Sequence, residues 1–189
     1  MRLAIVLPVV LAVIRNSALA QTVTDSFAGH VVTFDQAAGY QPSGSHSPYP
    51  AALFLAYRST PRADCRSALM LLVLIDRAET AGGDSGTLAE FAAAMLTPYP
   101  KRFSNWAVSE SAAVVDGDSA IRYSWSGTSP VQDKCRGGQA AVPMRGIVLV
   151  GMKRGLGFTL EVRDDEQHAA ETLPAGEAAL RTFRVDAPP

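Results

Sequence analysis

Histidine and cysteine are scarce in this chain of 189 residues, which contains three histidines and two cysteines. No two histidines form an H-x-H or H-E-x-x-H pair, so their spacing supports no metal site. The chain has no C-x-x-C pair, which argues against a thiol redox motif. It has no P-loop and no G-x-G-x-x-G segment, so the sequence predicts no cofactor. The histidines are His30, His46 and His168.

A serine nucleophile is also poorly supported. Ser85 lies in a Gly-Asp-Ser-Gly segment that resembles the nucleophile segment of chymotrypsin-like serine proteases. Neither His30 nor His46 stands in the context expected of the catalytic base, and a flexible turn before a helix is the favoured interpretation of this segment. The hydrolase elbow G-x-S-x-G is absent, because the segment around Ser119 lacks the last glycine. A small hydrolase that uses Ser85 or an acid pair is kept as the enzymatic alternative.

Residues 1–20 have the order of a cleavable secretory signal peptide: Arg2, an apolar run over 3–14, and small residues at Ala18 and Ala20 before Gln21. A membrane-spanning helix needs roughly 20 apolar residues, and this run is shorter. No cysteine follows it closely, so lipoprotein anchoring is not predicted. We therefore expect an extracytoplasmic protein, periplasmic or secreted, with one domain over 21–189 and no stable membrane anchor after cleavage.

Charge gives no reason to expect nucleic acid or an anionic membrane as a partner. The whole chain has 17 basic and 18 acidic residues, and the first 20 residues hold two arginines and no acid. Residues 21–189 therefore carry 15 basic and 18 acidic residues, a net charge of −3. A nucleic-acid-binding chain would be expected to show a basic excess.

Cys65 and Cys135 both lie in the segment predicted to be exported. An oxidising compartment lets such a pair persist as a disulfide, which is the pairing we expect within the chain. Two unpaired thiols, or pairing with another chain, are the alternatives.

The sequence pattern of the first half of the chain predicts three strands and a helix. Strands are expected over 30–34, 51–58 and 67–76, although a core helix is a competing interpretation of the apolar run at 68–75. The glycine- and proline-rich segment 35–50 predicts a loop. Thr87 and Glu90 fit a capping box that starts an amphipathic helix, which Pro98 and Pro100 are expected to end.

The second half predicts four strands and a closing helix. Two strands flank Asp116-Gly117, a tight hairpin turn, and two more cover 146–152 and 156–162. Acidic residues then suit the first turn of a solvated helix, in which Pro174 and Gly176 are expected to cause an interruption before 177–183. Those residues are Asp164, Asp165 and Glu166, with His168 beside them.

The capped helix, the hairpin around Asp116-Gly117, the strand pair 146–152 and 156–162, and the helix ending Leu180-Arg181-Thr182-Phe183 together resemble the PsbP-like α/β/α sandwich families. The resemblance covers about two-thirds of residues 21–189 and rests on element order. It implies an α+β domain, with a mostly antiparallel sheet flanked by helices. It also implies non-catalytic binding or assembly, as in most members of such families.

Ser-Pro-Tyr-Pro at 47–50 and Thr-Pro-Tyr-Pro at 97–100 each place a tyrosine between two prolines. A tyrosine ring held between prolines suits recognition of a partner. The alternative interpretation is that these prolines simply end strands and helices. The sequence thus predicts a binding protein that engages a protein partner or a small ligand through loops at Tyr40, Tyr49 and Tyr99. An inhibitor or immunity-type protein of a secreted enzyme is a further alternative.

Overall fold

The computed structural model describes residues 21–49, 51–79, 86–132, 135 and 137–187. The predicted signal peptide therefore lies outside the described residues. Thirteen elements occur in the described part of the chain, in the order β1 (Thr22–Phe27), β2 (His30–Asp35), β3 (Tyr40–Tyr49), β4 (Ala52–Ser59), β5 (Leu69–Asp76), α1 (Leu88–Leu96), α2 (Tyr99–Arg102), β6 (Ser104–Val115), β7 (Asp118–Gln132), β8 (Gln139–Lys153), β9 (Leu156–Asp165), α3 (Ala169–Leu180) and β10 (Arg184–Asp186).

A seven-stranded sheet in the order β3-β4-β5-β9-β8-β7-β6 forms the body of the protein. Every pair of neighbours in it is antiparallel. A second, three-stranded sheet has the order β1-β2-β10 and is also antiparallel. These sheets and helices confirm the predicted α+β class with a mostly antiparallel sheet.

Each face of the large sheet carries its own hydrophobic cluster. We call the face that includes Leu72, Leu160 and Val162 the inner face, because α3 and the small sheet pack on it with Phe183 and Val185. The opposite, outer face carries α1 and α2 and an aromatic cluster that includes Tyr99, Phe103, Trp106, Tyr123 and Trp125. Side chains alternate between the two faces along each strand, so both clusters draw on the same strands.

Local sequence signals located several elements correctly. Thr87 and Glu90 form the predicted capping box at the start of α1. Asp116 and Gly117 have φ values of +53° and +82°, as a tight hairpin turn requires, and join β6 to β7. The apolar run at 68–75 is strand β5 and not a core helix, with Met70, Leu72 and Leu74 fully buried.

The prediction of a loop over 35–50 was wrong, because β3 occupies Tyr40–Tyr49. This strand lies at the edge of the sheet and pairs with β4 alone. Its register shifts between Pro42 and Gly44 and again between His46 and Tyr49. Proline and glycine are tolerated at such an edge, because one side of the strand forms no ladder and the bulges absorb the irregular residues.

The chain after residue 160 also differs from the prediction. Asp164 and Asp165 are the last residues of β9 and not the first turn of a solvated helix. Helix α3 runs from Ala169 to Leu180 without an interruption at Pro174 or Gly176. Gly176 lies against Val162, and a Cβ at Gly176 would come 2.4 Å from Val162 Cγ2. Close packing of the helix on the sheet therefore outweighs the weak local helix propensity.

Three short elements were not predicted. Strands β1 and β10 form the small sheet with β2, and α2 follows Pro98 with Pro100 in its first turn. Proline is compatible with a first helical turn, because the missing N–H would be unpaired there in any case.

Candidate ligand-binding site

A cleft of about 560 Å³ opens on the outer face of the sheet, beneath the loop between β4 and β5. We call residues 61–67 the roof loop and the cavity beneath it the cleft. The floor of the cleft is apolar and consists of Leu69, Phe103, Val142 and Met144. A cavity of this size, with an apolar floor and polar and charged side chains in its wall, has the character of a small-molecule site.

The roof loop is held in one conformation. The Arg62 N–H donates to the Arg66 carbonyl oxygen at 2.9 Å, and the Cys65 N–H donates to the Arg62 carbonyl oxygen at 2.8 Å. The Asp64 carboxylate accepts from the Arg66 N–H at 3.0 Å. A disulfide between Cys65 and Cys135 ties the loop to the connection between β7 and β8. The predicted disulfide pairing within the chain is therefore confirmed.

A buried ion-pair network anchors the base of the roof loop. The Arg62 guanidinium donates to both oxygens of Asp164, at 2.9 and 2.7 Å, and to Asp165 Oδ2 at 2.5 Å. The carboxylates of Asp164 and Asp165 are 1% and 3% exposed. Thr172 of α3 also donates to Asp164, at 2.9 Å. The expectation of solvated acids was wrong for Asp164 and Asp165, whose carboxylates lie inside the protein and hold the loop to the sheet, whereas Glu166 is exposed as expected.

His168 completes this network on the side of α3. Its Nδ1 lies 2.7 Å from Asp165 Oδ1. Burial raises the pKa of Asp165, but the hydrogen bond from His168 and the charge of Arg62 outweigh it and hold that pKa below its usual value. Donor atoms of Asp64, Asp165 and His168 lie within 4.8 Å of one another. Both oxygens of Asp165 already accept hydrogen bonds, so this cluster is an ion-pair network and supports no metal assignment.

Three arginines line the cleft. Arg58 is exposed and forms no ion pair with an acid among the residues that the structure describes. Arg66 lies 3.8 Å from the Asp64 carboxylate, and Arg163 lies over the Phe103 ring with Cζ 5.7 Å from the centroid. Together with Arg62, these arginines carry four positive charges against the three negative charges of Asp64, Asp164 and Asp165, which leaves the cleft with one positive charge in excess.

Beneath Arg163 lies a buried carboxyl that sequence reasoning missed. Glu161 is 2% exposed, and its Oε1 lies 3.4 Å from Arg163 Nη1. Burial raises the pKa of Glu161, while Arg163 and a hydrogen bond from Tyr99 oppose the shift. A protonated Glu161 has no negative charge. Because its pKa is raised, Glu161 compensates less of the positive charge on Arg163. No local signal marked Glu161, which follows the largely apolar first half of β9.

The three tyrosines proposed as recognition residues are not brought to one surface. Tyr40 is 6% exposed and belongs to the inner-face cluster, where burial raises its pKa to about 12. Tyr99 is 8% exposed on the outer face and packs against Phe103 and Trp125. The backbone of Tyr49 ends β3, but its side chain lies outside the described residues. A binding role for these loops stays a prediction.

Ser85 lies outside the described residues, so the hydrolase alternative stays untested. His30 begins β2 and lies opposite Phe27, and His46 belongs to β3. No helix in the described part of the chain is long and apolar enough to span a membrane.

The sequence matches no protein-family profile and no curated protein. Solved structures nevertheless share the fold. The chain is similar to LpqN, a Mycobacterium tuberculosis protein involved in cell envelope biogenesis, with a TM-score of 0.52, 13% identity, and coverage of 89% of this chain and 92% of LpqN. It is also similar to cyanobacterial PsbP (CyanoP) from Synechocystis sp. PCC 6803, with a TM-score of 0.51, 15% identity, and coverage of 90% and 95%. These likenesses confirm the expected PsbP-like fold and, at such low identity, concern the fold alone.

Proposed function

We propose that this protein is a non-catalytic, extracytoplasmic binding protein that holds a small anionic amphiphile in the cleft. The observation that carries the proposal is a cleft in which an apolar floor of Leu69, Phe103, Val142 and Met144 is combined with Arg58, Arg66 and Arg163 in the lining. An apolar group would displace water from the floor, and a carboxylate or phosphate would accept charge-assisted hydrogen bonds from the arginines.

The fixed roof loop favours binding over chemistry. Its disulfide and the Arg62 network order the cleft before a ligand arrives, which lowers the entropy lost on binding. The titratable groups of this network are engaged in structural contacts. The disulfide also fits the oxidising compartment that the predicted signal peptide implies.

The envelope suggests which ligands to test first. LpqN, which has a similar fold, is involved in cell envelope biogenesis. Membrane lipids and their breakdown products are anionic amphiphiles that an extracytoplasmic protein would meet. Decanoate is a simple probe of this class, and decanol and decylammonium share its chain length but differ in the charge of the head group.

Isothermal titration of residues 21–189 with these three probes tests the proposal. We expect decanoate to bind most tightly and decylammonium least tightly. Arg58→Glu should raise the Kd for decanoate roughly tenfold or more, because a hydrogen bond to a charged group contributes about 1.5–3 kcal/mol. The same change should leave decanol binding nearly unchanged. Arg154→Glu, in the exposed turn between β8 and β9, is the matched control.

A second variant tests the apolar part of the site. Ser129 lines the cleft from β7, and Ser129→Trp should fill the cleft and weaken decanoate and decanol alike. The proposal fails if no probe binds, or if binding is equally strong after Ser129→Trp. Preference for decylammonium would contradict the predicted charge of the ligand but leave a ligand cleft in place.

A further inference from the structure

The two edges of the large sheet differ in how they are protected. Strand β3 at one edge is broken by two register shifts and contains Pro42 and Pro48. Strand β6 at the other edge has one register shift, between Ser104 and Ala107, and then pairs with β7 in unbroken register from Ala107 to Val115. Its sequence, Ser104–Val115, contains no proline, lysine or arginine. An open edge without such residues presents free backbone N–H and C=O groups to another strand.

The side chains of β6 add an apolar surface to this edge. Val108 and Val114 are 46% and 59% exposed, and they are the large hydrophobic residues that are exposed in the described part of the chain. An even spacing in a strand places both valines on one face. Glu110 lies between them and is the single charged residue of the strand.

We propose that β6 pairs antiparallel with β6 of a second copy of this chain, so that the two large sheets become continuous across a two-fold axis at Ser111. This register places Val108 opposite Val114 of the other copy, and Val114 opposite its Val108. Glu110 then lies opposite Ala112, so the two acidic side chains do not oppose each other directly. Apolar cross-strand pairs stabilise a sheet, and like charges placed opposite destabilise it.

Neighbouring registers are less favourable. In an antiparallel pair, two residues that lie directly opposite each other both point their backbone groups towards the partner strand or both point them away. These two kinds of position alternate along a strand. The two-fold axis of a symmetric pair therefore passes through a residue and not between two residues. A centre at Glu110 would place the two glutamates opposite each other, and a centre at Ala112 would place Glu110 opposite Val114 and Val108 opposite Asp116. Only the centre at Ser111, among these three, forms both valine pairs. The strand is thus self-complementary, which identifies the partner as a second copy.

Sedimentation velocity of oxidised residues 21–189 over a concentration series tests this inference. We expect a reversible dimer. Val108→Lys and Val114→Glu should each raise the dimer Kd roughly tenfold, because each change removes both symmetric valine pairs. Thr24→Lys places a charge on an exposed position of β1, away from β6, and should leave the dimer Kd unchanged. Far-UV circular dichroism of each variant checks that the fold is kept.

A mixture of the two variants tests the register itself. In a mixed dimer, Lys at position 108 of one chain lies opposite Glu at position 114 of the other, and the remaining valine pair is intact. An equimolar mixture of Val108→Lys and Val114→Glu should therefore dimerise more tightly than either variant alone. A protein that stays monomeric throughout, a dimer insensitive to both variants, or a mixture no tighter than its components would overturn the inference.

Discussion

The charge of Arg62 is expected to contribute more to the stability of the fold than any other single charge in the described part of the chain. Its side chain is 22% exposed, whereas the Asp164 and Asp165 carboxylates that it binds are almost fully buried. Arg62→Met keeps most of the apolar stem but leaves two buried carboxylates without their cation. Removing one partner of a buried ion pair costs about 3–5 kcal/mol. Since Thr172 and His168 still donate to these acids, we expect a loss near the lower end, about 3 kcal/mol.

The pH dependence of this loss separates electrostatics from packing. In the native protein, Asp165 has a pKa below its usual value. Its contribution to stability is therefore present above the unfolded-state pKa of about 3.9 and is lost as the pH falls through the lower folded-state value. Without Arg62 the Asp165 carboxylate takes up a proton more readily. The stability difference between Arg62→Met and the native protein should thus shrink as the pH falls below about 5.

Urea unfolding at pH 7 and at a series of lower pH values measures both effects. Arg66→Met is a matched control, because Arg66 Nε lies 3.8 Å from Oδ2 of a more exposed acid, Asp64. This substitution should lower the free energy of unfolding by less than about 1 kcal/mol. A loss below about 1 kcal/mol for Arg62→Met at pH 7 would refute the proposed anchoring role. A loss that is the same at every pH would show that Arg62 acts through packing.

Two further predictions concern the disulfide and the helix packing. Cys65 and Cys135 are 70 residues apart, and reduction of their disulfide should lower the free energy of unfolding by about 4 kcal/mol in the chain-entropy description. It should also weaken decanoate binding. Urea unfolding and calorimetric titration, each with and without reductant, measure the two effects. Gly176→Ala should destabilise by about 1 kcal/mol, because overpacking against Val162 costs roughly 1–3 kcal/mol and exceeds the helix-propensity gain of about 1 kcal/mol. Adding Val162→Ala should relieve the clash, so additive losses in thermal unfolding would contradict this reasoning.

The fold could be predicted where local chemistry decides the structure. The capping box at Thr87 satisfies its own helix end, and Asp-Gly is a favoured dipeptide for the positive φ values of a tight hairpin turn. These signals need only a few neighbouring residues. Strand β3 could not be predicted, because its pairing with β4 outweighs the loop-forming tendency of Pro42 and Gly44.

The candidate site depended on contacts that no local pattern encodes. Arg62 and Asp164 are separated by 102 residues, and they meet because β9 ends beneath the roof loop. The acids at 164 and 165 have the composition of a helix start, and only tertiary packing shows that they end a strand. The two cysteines were the exception, since a single pair leaves one way to connect them within the chain.

Nuclear magnetic resonance of ¹⁵N-labelled protein can show whether an anionic amphiphile occupies the cleft. Addition of decanoate should shift the amide signals of cleft residues such as Leu69, Phe103 and Met144 in a saturable way. The signals of the Asp116-Gly117 turn, which does not line the cleft, should stay in place. Saturable shifts confined to another surface, or no saturable shifts, would show that decanoate does not occupy the cleft.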